Sequence, residues 1–229
     1  MEFDPHTRER PKNFVWCGED CIAVSWPNRG ILLVSPYCDY LRFDYDVSHE
    51  PLFLLQEIDS LRVYSRYHHD IIRAVFLFAH SYLKVPPPIY NVYSMGSQTP
   101  GAVLRSAFAR FAQRAGERDM EEGVGDLRDD LLDSAVKECI DAAEEELSSL
   151  LQEELLRSAS YGQNYLQNMT HSFQKVDFRK ITGFLRIINT LRTPEIGLYL
   201  TANQFRFLKE RSVISRLLSR RLYYLSVQV

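Results

Sequence analysis

The sequence predicts a mixed chain, strands first and helices after: an antiparallel meander of the kind that builds the blades of a β-propeller, then helical hairpins of the kind that stack in an α-solenoid. Three observations carry this. Residues 13–66 hold six short runs rich in Val, Ile, Leu, Tyr and Phe, separated by turn residues. From residue 99 onward the apolar spacing changes to three and four, the repeat of a helix buried on one face. The helices so marked are joined by short connections, and stacked pairs of that kind bury their faces on one another.

At 229 residues the chain has room for one large domain or two small ones, and its apolar content of 45% is enough to build a core. The net charge of −3 hides an uneven distribution. Residues 117–154 carry 15 Asp/Glu against three Lys/Arg, about −12, and residues 172–229 carry 11 Lys/Arg against three acids, about +8. Apolar positions stay periodic through both blocks, so they read as solvated helix faces with some mutual attraction.

Taken in order, residues 1–12 form a leader expected to be disordered, and its charges and two prolines do not suit a secretory signal. The strand runs are NFVWC, CIAVSW, GILLVS, YLRFDY, LFLLQEI and LRVYS, with turns at Gly18-Glu19-Asp20, Pro27-Asn28-Arg29-Gly30 and Ser35-Pro36. They amount to one propeller blade plus part of a neighbour. That is too few to close a ring and leaves open edges, which points to a piece of a larger assembly. Residues 67–98 fit neither neighbour and are set apart as an atypical linker. They open with His68-His69-Asp70 in a surface loop, continue through a helix-like apolar run, and meet Pro86-Pro87-Pro88, which favours extended structure. The most apolar stretch there, residues 74–82, is too short to cross a bilayer.

The solenoid part is expected over residues 99–229. Thr99-Pro100 starts a helix with the stripe Leu104, Ala107, Phe108, Phe111 and Ala115. An acidic loop near 117–125 precedes a long helix carrying Leu127, Leu131, Leu132, Ala135, Cys139, Ala142 and Ala143. Another begins at Ser149-x-x-Gln152, with a possible break at Gly162. Residues 155–205 are the organising stretch: Phe178, Ile181, Leu185, Ile188 and Leu191 share a face, and Thr193-Pro194-Glu195 reads as the start of a short helix. Thr201 to Gln204 reads as a capping box. From Ser212, Val213, Ile214, Leu217, Leu218, Leu222 and Leu225 predict a last helix that ends uncapped.

No constellation for chemistry emerges. A metal site needs three or more convergent ligands, and no other His or acid joins His68, His69 and Asp70 at a recognisable helical offset. Cys17 and Cys21 have the separation of some zinc pairs, but no second pair follows, so these thiols and Cys38 and Cys139 read as reduced and half-buried. Ser172-x-x-Lys175 lacks the partner motifs of penicillin-binding enzymes, Gly123-Val124-Gly125 lacks the strand and third glycine of a dinucleotide fingerprint, and Asn168-Met169-Thr170 is a sequon of use only in a secreted chain. Glu144-Glu145-Glu146 reads as a solvated face. Catalytic, cofactor and metal sites are therefore expected to be none, with binding residues unknown. The rival reading is a nucleic-acid or anionic-lipid module built on Arg186, Arg192, Arg206, Lys209, Arg211, Arg216, Arg220 and Arg221, but an apolar stripe runs through these cations and no nucleic-acid motif accompanies them.

An ordered set of short matches then suggests a family. Trp16-Cys17-Gly18-x-Asp20, Val24-x-Trp26, Leu32-Leu33-Val34-x-Pro36, Phe43-x-Tyr45 and Glu57-x-Asp59-x-x-Arg62-Val63 resemble vacuolar protein sorting-associated protein 16. The similarity continues through Gly96-Ser97-x-x-Pro100, Ala135-Val136-x-Glu138-Cys139-Ile140-x-Ala142-Ala143 and Leu155-Leu156-Arg157-x-Ala159-Ser160-Tyr161-Gly162. It ends with Leu185-Arg186-x-x-Asn189-x-x-Arg192-x-Pro194-Glu195-Ile196-Gly197 and Ile214-x-Arg216-Leu217, and residues 67–93 depart from it. The resemblance implies a non-enzymatic subunit of the HOPS and CORVET tethering complexes, with a propeller joined to a solenoid. It implies work in endosome-to-vacuole or lysosome trafficking, on the cytoplasmic side as a peripheral protein. Implied partners are the other subunits, including an SM-family subunit, with Rab GTPases and SNAREs engaged indirectly and no nucleic acid. The chain would cover the propeller's end and the solenoid's start, a fragment lacking the main SM-binding region.

Overall fold

A computed structural model describes residues 9–18, 21–26, 29–36, 39–45, 52–66, 69–75, 81–83, 87–113, 129–169 and 177–228. The chain divides into two compact units, Met1–Pro86 and Pro87–Val229.

In the first unit, β1 (Asn13–Cys17), β2 (Cys21–Trp26), β3 (Gly30–Val34) and β4 (Tyr40–Phe43) form a four-stranded sheet in chain order. A second sheet of four follows in the same way: β5 (Phe53–Gln56), β6 (Leu61–Tyr64), β7 (His69–Val75) and β8 (Ser81–Leu83). Every pairing is antiparallel, so the expected meander is present. Because successive side chains on a strand face opposite ways, one face of each sheet collects the core. Cys17, Cys21, Ala23, Ile31 and Leu33 of the first sheet form one buried cluster with Leu52, Leu61, Val63 and Ile72. Polar ties cross the same gap: Asn13 Nδ2 donates to the Leu52 carbonyl at 2.8 Å, and the Tyr45 hydroxyl donates to Asp70 at 2.8 Å. Of the leader, residues 1–8 lie outside the described residues, while the Lys12 N–H donates to the Ser25 carbonyl at 2.8 Å.

The segment 67–98 differs from its sequence reading. His69 and Asp70 open strand β7 rather than a surface loop, and residues 81–83 form β8 where a helix-like run is expected. β-Branched Ile71, Ile72 and Val75 favour a strand that has a partner, and β6 supplies one. The prolines start a helix instead of extending the chain. In α1 (Pro87–Tyr93), Pro87 and Pro88 occupy the first turn, where a missing N–H costs nothing.

The second unit continues with α2 (Pro100–Gln113), α3 (Asp129–Glu145), α4 (Ser149–Met169), α5 (Phe178–Arg192), α6 (Ala202–Ser219) and α7 (Tyr223–Gln228). Ala115, Leu127 and the acidic loop 117–125 lie outside the described residues. Leu104 and Ala107 of α2, Leu132, Ala135, Val136 and Cys139 of α3, and Ala159 and Tyr161 of α4 share one core. Ile89 and Val92 of α1 pack with Ala142, Ala143 and Leu155 in another. Ile188 and Leu191 of α5 pack with Ile196, Leu198 and with Ala202, Phe205, Val213 and Leu217 of α6 in a third. Leu131, placed on the buried stripe by its spacing, is exposed.

Three helix boundaries correct the sequence reading. α4 runs through Gly162 without a break, because the glycine serves close helix approach. A Cβ there would lie 2.8 Å from a Leu104 methyl and 3.0 Å from a Val136 methyl, both on buried side chains. Thr193-Pro194-Glu195 forms a single turn, not a short helix: the Thr193 carbonyl accepts from Ile196 and Gly197, and Gly197 leaves the turn at φ 65°. The capping box at Thr201 and Gln204 is present as expected, but the helix it starts extends past Ser212 to Ser219. That helix is interrupted at Lys209, whose φ of 61° and ψ of 157° are non-helical.

Candidate functional site

His69, Asp70, Cys17, Cys21 and Cys139, singled out in the sequence, take part in packing and pairing. His69 and Asp70 are strand neighbours and so face opposite sides of the second sheet. His69 stacks on Tyr64 at 4.6 Å, with Nε2 3.3 Å from Arg62 Nη1, and burial, then the Arg62 charge, lower its pKa. Arg62 is only 2% exposed and pairs with Glu57 at 2.5 Å. Asp70 instead accepts the Tyr45 hydroxyl, whose pKa is raised by burial and then by Asp70. Two side chains on opposite faces cannot converge on one ion, and His68 lies outside the described residues. Among the described residues no group of three or more His, Cys, Asp or Glu could hold a metal.

Cys17 and Cys21 face each other across the β1–β2 hairpin, both buried and unbridged. Burial, then Cys21, pushes the Cys17 thiol up to about 12, and burial, then Glu138, does the same for Cys139. Thiolate is the reactive form. Cys17 and Cys139 should therefore resist iodoacetamide in the native protein at pH 8 and become labelled on denaturation, which peptide mass mapping would read. The Ser172-x-x-Lys175 motif, Gly123-Val124-Gly125, Cys38 and Thr170 of the sequon lie outside the described residues.

The acidic and basic blocks do complement each other, and the glutamate triplet is where they meet. Glu144 pairs with Arg206 of α6 at 2.5 Å, and Glu145 accepts from Asn203 at 3.0 Å. The Glu146 carboxylate accepts the N–H groups of Leu147 and Ser148, and its carbonyl accepts Gln152 Nε2 at 2.7 Å and Arg192 Nη1 at 3.3 Å. Gln152 in turn accepts from Asn189 at 2.7 Å, and Asn189 accepts from Arg192 at 3.4 Å. Arg192 Nε donates to the Leu200 carbonyl at 2.9 Å, so this closed polar ring ties the α3–α4 turn to α5 and to the approach to α6. Arg192 is 9% exposed. Of the eight cations considered for phosphate contact, Arg192 and Arg206 are committed to these ties, and Arg220 donates to the Ile196 carbonyl. Nothing in the spacing of Arg192 distinguishes a structural guanidinium from a surface one.

Glu138, part of the quoted motifs, accepts the Gly101 N–H at 2.7 Å and so binds the α2 N-terminus to α3. Such a carboxylate satisfies an N–H that a helix start leaves unpaired.

Two apolar surfaces stand out among the described residues. On the outer face of the first sheet, the register aligns Phe14, Val24, Leu32 and Arg42 in one row and Trp16, Ile22, Val34 and Tyr40 in the next. Phe14, Trp16 and Tyr40 are 67%, 49% and 62% exposed. A sheet face this apolar suits contact with another surface rather than water. The second surface is a groove beside the α6 kink, with an apolar floor of Ile181, Phe184 and Phe205. No helix among the described residues is long and apolar enough to cross a membrane.

The family model described as Vps16, N-terminal region, matches residues 1–177. The chain is 31% identical over 219 residues to the protein VACUOLELESS1 of Arabidopsis thaliana, covering 96% of this chain and 23% of that protein. It is 29% identical over 234 residues to the vacuolar protein sorting-associated protein 16 homolog of Drosophila melanogaster, covering 100% of this chain and 26% of the other. With vacuolar protein sorting-associated protein 16 of Saccharomyces cerevisiae the identity is 29% over 219 residues, 96% of this chain and 25% of the relative. The chain thus spans about a quarter of the length of the curated relatives it matches.

Proposed function

The chain belongs to the Vps16 family, and from that premise we propose that it is a structural part of a vacuolar sorting subunit, acting by holding neighbours rather than by catalysis. The two sheets read as adjacent blades of a β-propeller. Their support is that each is a four-stranded antiparallel meander and that they share a core face to face. The helices read as the first hairpins of an α-solenoid, supported by cores that each join two or three helices. The domain reading is a leader over 1–12, propeller strands that run past the expected 13–66 to the end of β8, and solenoid from 99, with α1 in the stretch between.

The assembly served would be the HOPS and CORVET tethering complexes, on the cytoplasmic face of late endosome, lysosome or vacuole, with Rab GTPases and SNAREs engaged through other subunits, including one of the SM family. The observation that carries the interaction reading is the outer face of the first sheet, where aromatic side chains stand in register and exposed. A role without catalysis is supported by His69, Asp70, Glu138, Cys17 and Cys139, which among the described residues pack, pair or cap.

Affinity capture of the tagged chain from cells tests this. Other vacuolar sorting subunits should be recovered, and a Trp16→Glu change should reduce that recovery severalfold. Recovery of none of them, or a substrate turnover abolished by a point substitution, would contradict the proposal.

A further inference from the structure

We propose that the groove beside the α6 kink is a docking site for an acidic peptide segment of a partner protein, one carrying an apolar anchor between its carboxylates. This rests on the interaction reading above and adds the place and chemistry of one contact.

Three observations lead there. The groove is open to solvent, with a volume of about 630 Å³, within the range that admits several side chains, and Ile181, Phe184 and Phe205 line its apolar part. Phe184 and Phe205 meet edge to face at 5.5 Å, which fixes the shape of that part. Its rim is basic. Lys180, Arg206, Lys209 and Arg211 line it with Glu144 and Glu210. Glu144 is taken by Arg206, and Lys180 lies 3.8 Å from Asp177. Lys209 and Arg211 are exposed and meet no carboxylate among the described residues. Two free cations beside a shaped apolar floor complement a peptide that alternates acidic and apolar side chains.

The third observation is the backbone at Lys209. Its φ of 61° and ψ of 157° belong to a region used almost only by glycine, at a cost of about 1–3 kcal/mol. A lysine persists there because both halves of α6 are held, Ala202 and Phe205 before the kink and Val213 and Leu217 after it, in one buried cluster. Strain at a residue lining a groove is characteristic of binding positions. A flat anionic membrane would meet the cations but could not reach a concave floor, so a peptide fits the whole groove where a lipid surface fits only its rim.

The test uses the full chain and a short fluorescent peptide in which glutamates flank one leucine–phenylalanine pair, followed by anisotropy. Binding is expected, weakened at least about tenfold by the double change Lys209→Glu and Arg211→Glu. Both side chains are exposed, so the fold should hold, and circular dichroism checks it. Arg216→Glu with Arg221→Glu, which places the same charge change outside the groove, should leave binding unaltered. The proposal is overturned if the peptide does not bind or if both charge reversals act equally. It is also overturned if a lysine-flanked or an all-glutamate peptide binds as well, or if phosphatidylserine vesicles bind in its place and displace the peptide. Any of those results with sorting subunits still captured by the wild-type chain would discard this groove alone and leave the tethering reading standing.

Discussion

Gly30→Ala is expected to destabilise the strand unit by about 3 kcal/mol or more. Gly30 starts β3 at φ 76°, and a Cβ built on it would lie 2.2 Å from the Phe43 carbonyl oxygen and 3.1 Å from the Tyr45 nitrogen. The left-handed conformation costs an L-residue about 1–2 kcal/mol, and forced overpacking costs a further ~1–3 kcal/mol. Relief would require moving the end of β4, since the obstructing atoms are backbone and no rotamer change removes them. Both tryptophans of the chain, Trp16 and Trp26, lie in β1 and β2, so their fluorescence reports this unit. The midpoint of the urea transition followed by fluorescence should fall sharply. An unchanged midpoint would mean that β3 and β4 do not approach as described.

Arg192→Ala carries the second large effect, in the helical unit. It removes the donor to the Leu200 carbonyl and opens the ring through Glu146, Gln152 and Asn189. Hydrogen bonds from a charged donor contribute about 1.5–3 kcal/mol, and buried acceptors left without a partner add to the loss, so a destabilisation of about 3 kcal/mol is expected. Arg192→Lys should recover less than half. An ammonium is a single point of charge and cannot reach Leu200, Glu146 and Asn189 together as a planar guanidinium does. Far-UV circular dichroism during denaturation measures the helical transition. Full recovery by lysine would mean that charge, and not the geometry of the fork, holds the junction.

These two residues also show where the sequence was legible. The six strand runs, the antiparallel order and the Thr201 capping box could be read directly, because alternation and cap chemistry are local signals. Strand β7 was hidden because its residues reach their pairing only through β6, and a short apolar run does not tell a strand from a helix. Gly162 looked like a break because a glycine lowers helix propensity, whereas its reason is a Leu104 methyl on another helix. Arg192 had the spacing of a surface cation, and only the folded chain brings the Glu146 and Leu200 carbonyls to it. The motif Asn189-x-x-Arg192-x-Pro194-Glu195-Ile196-Gly197 held the clue. Its members are the ring, the turn and the positive-φ glycine of one junction.

The central claim is that the chain works by presenting surfaces that neighbours cover, foremost the outer face of the first sheet. Hydroxyl-radical footprinting of Phe14, Trp16 and Tyr40, in the purified chain and in the assembly captured from cells, tests it most directly. All three should be oxidised readily in the chain alone, consistent with their exposure, and be protected in the assembly. Equal oxidation of all three in both states would contradict the account, because the face would then have no partner to meet.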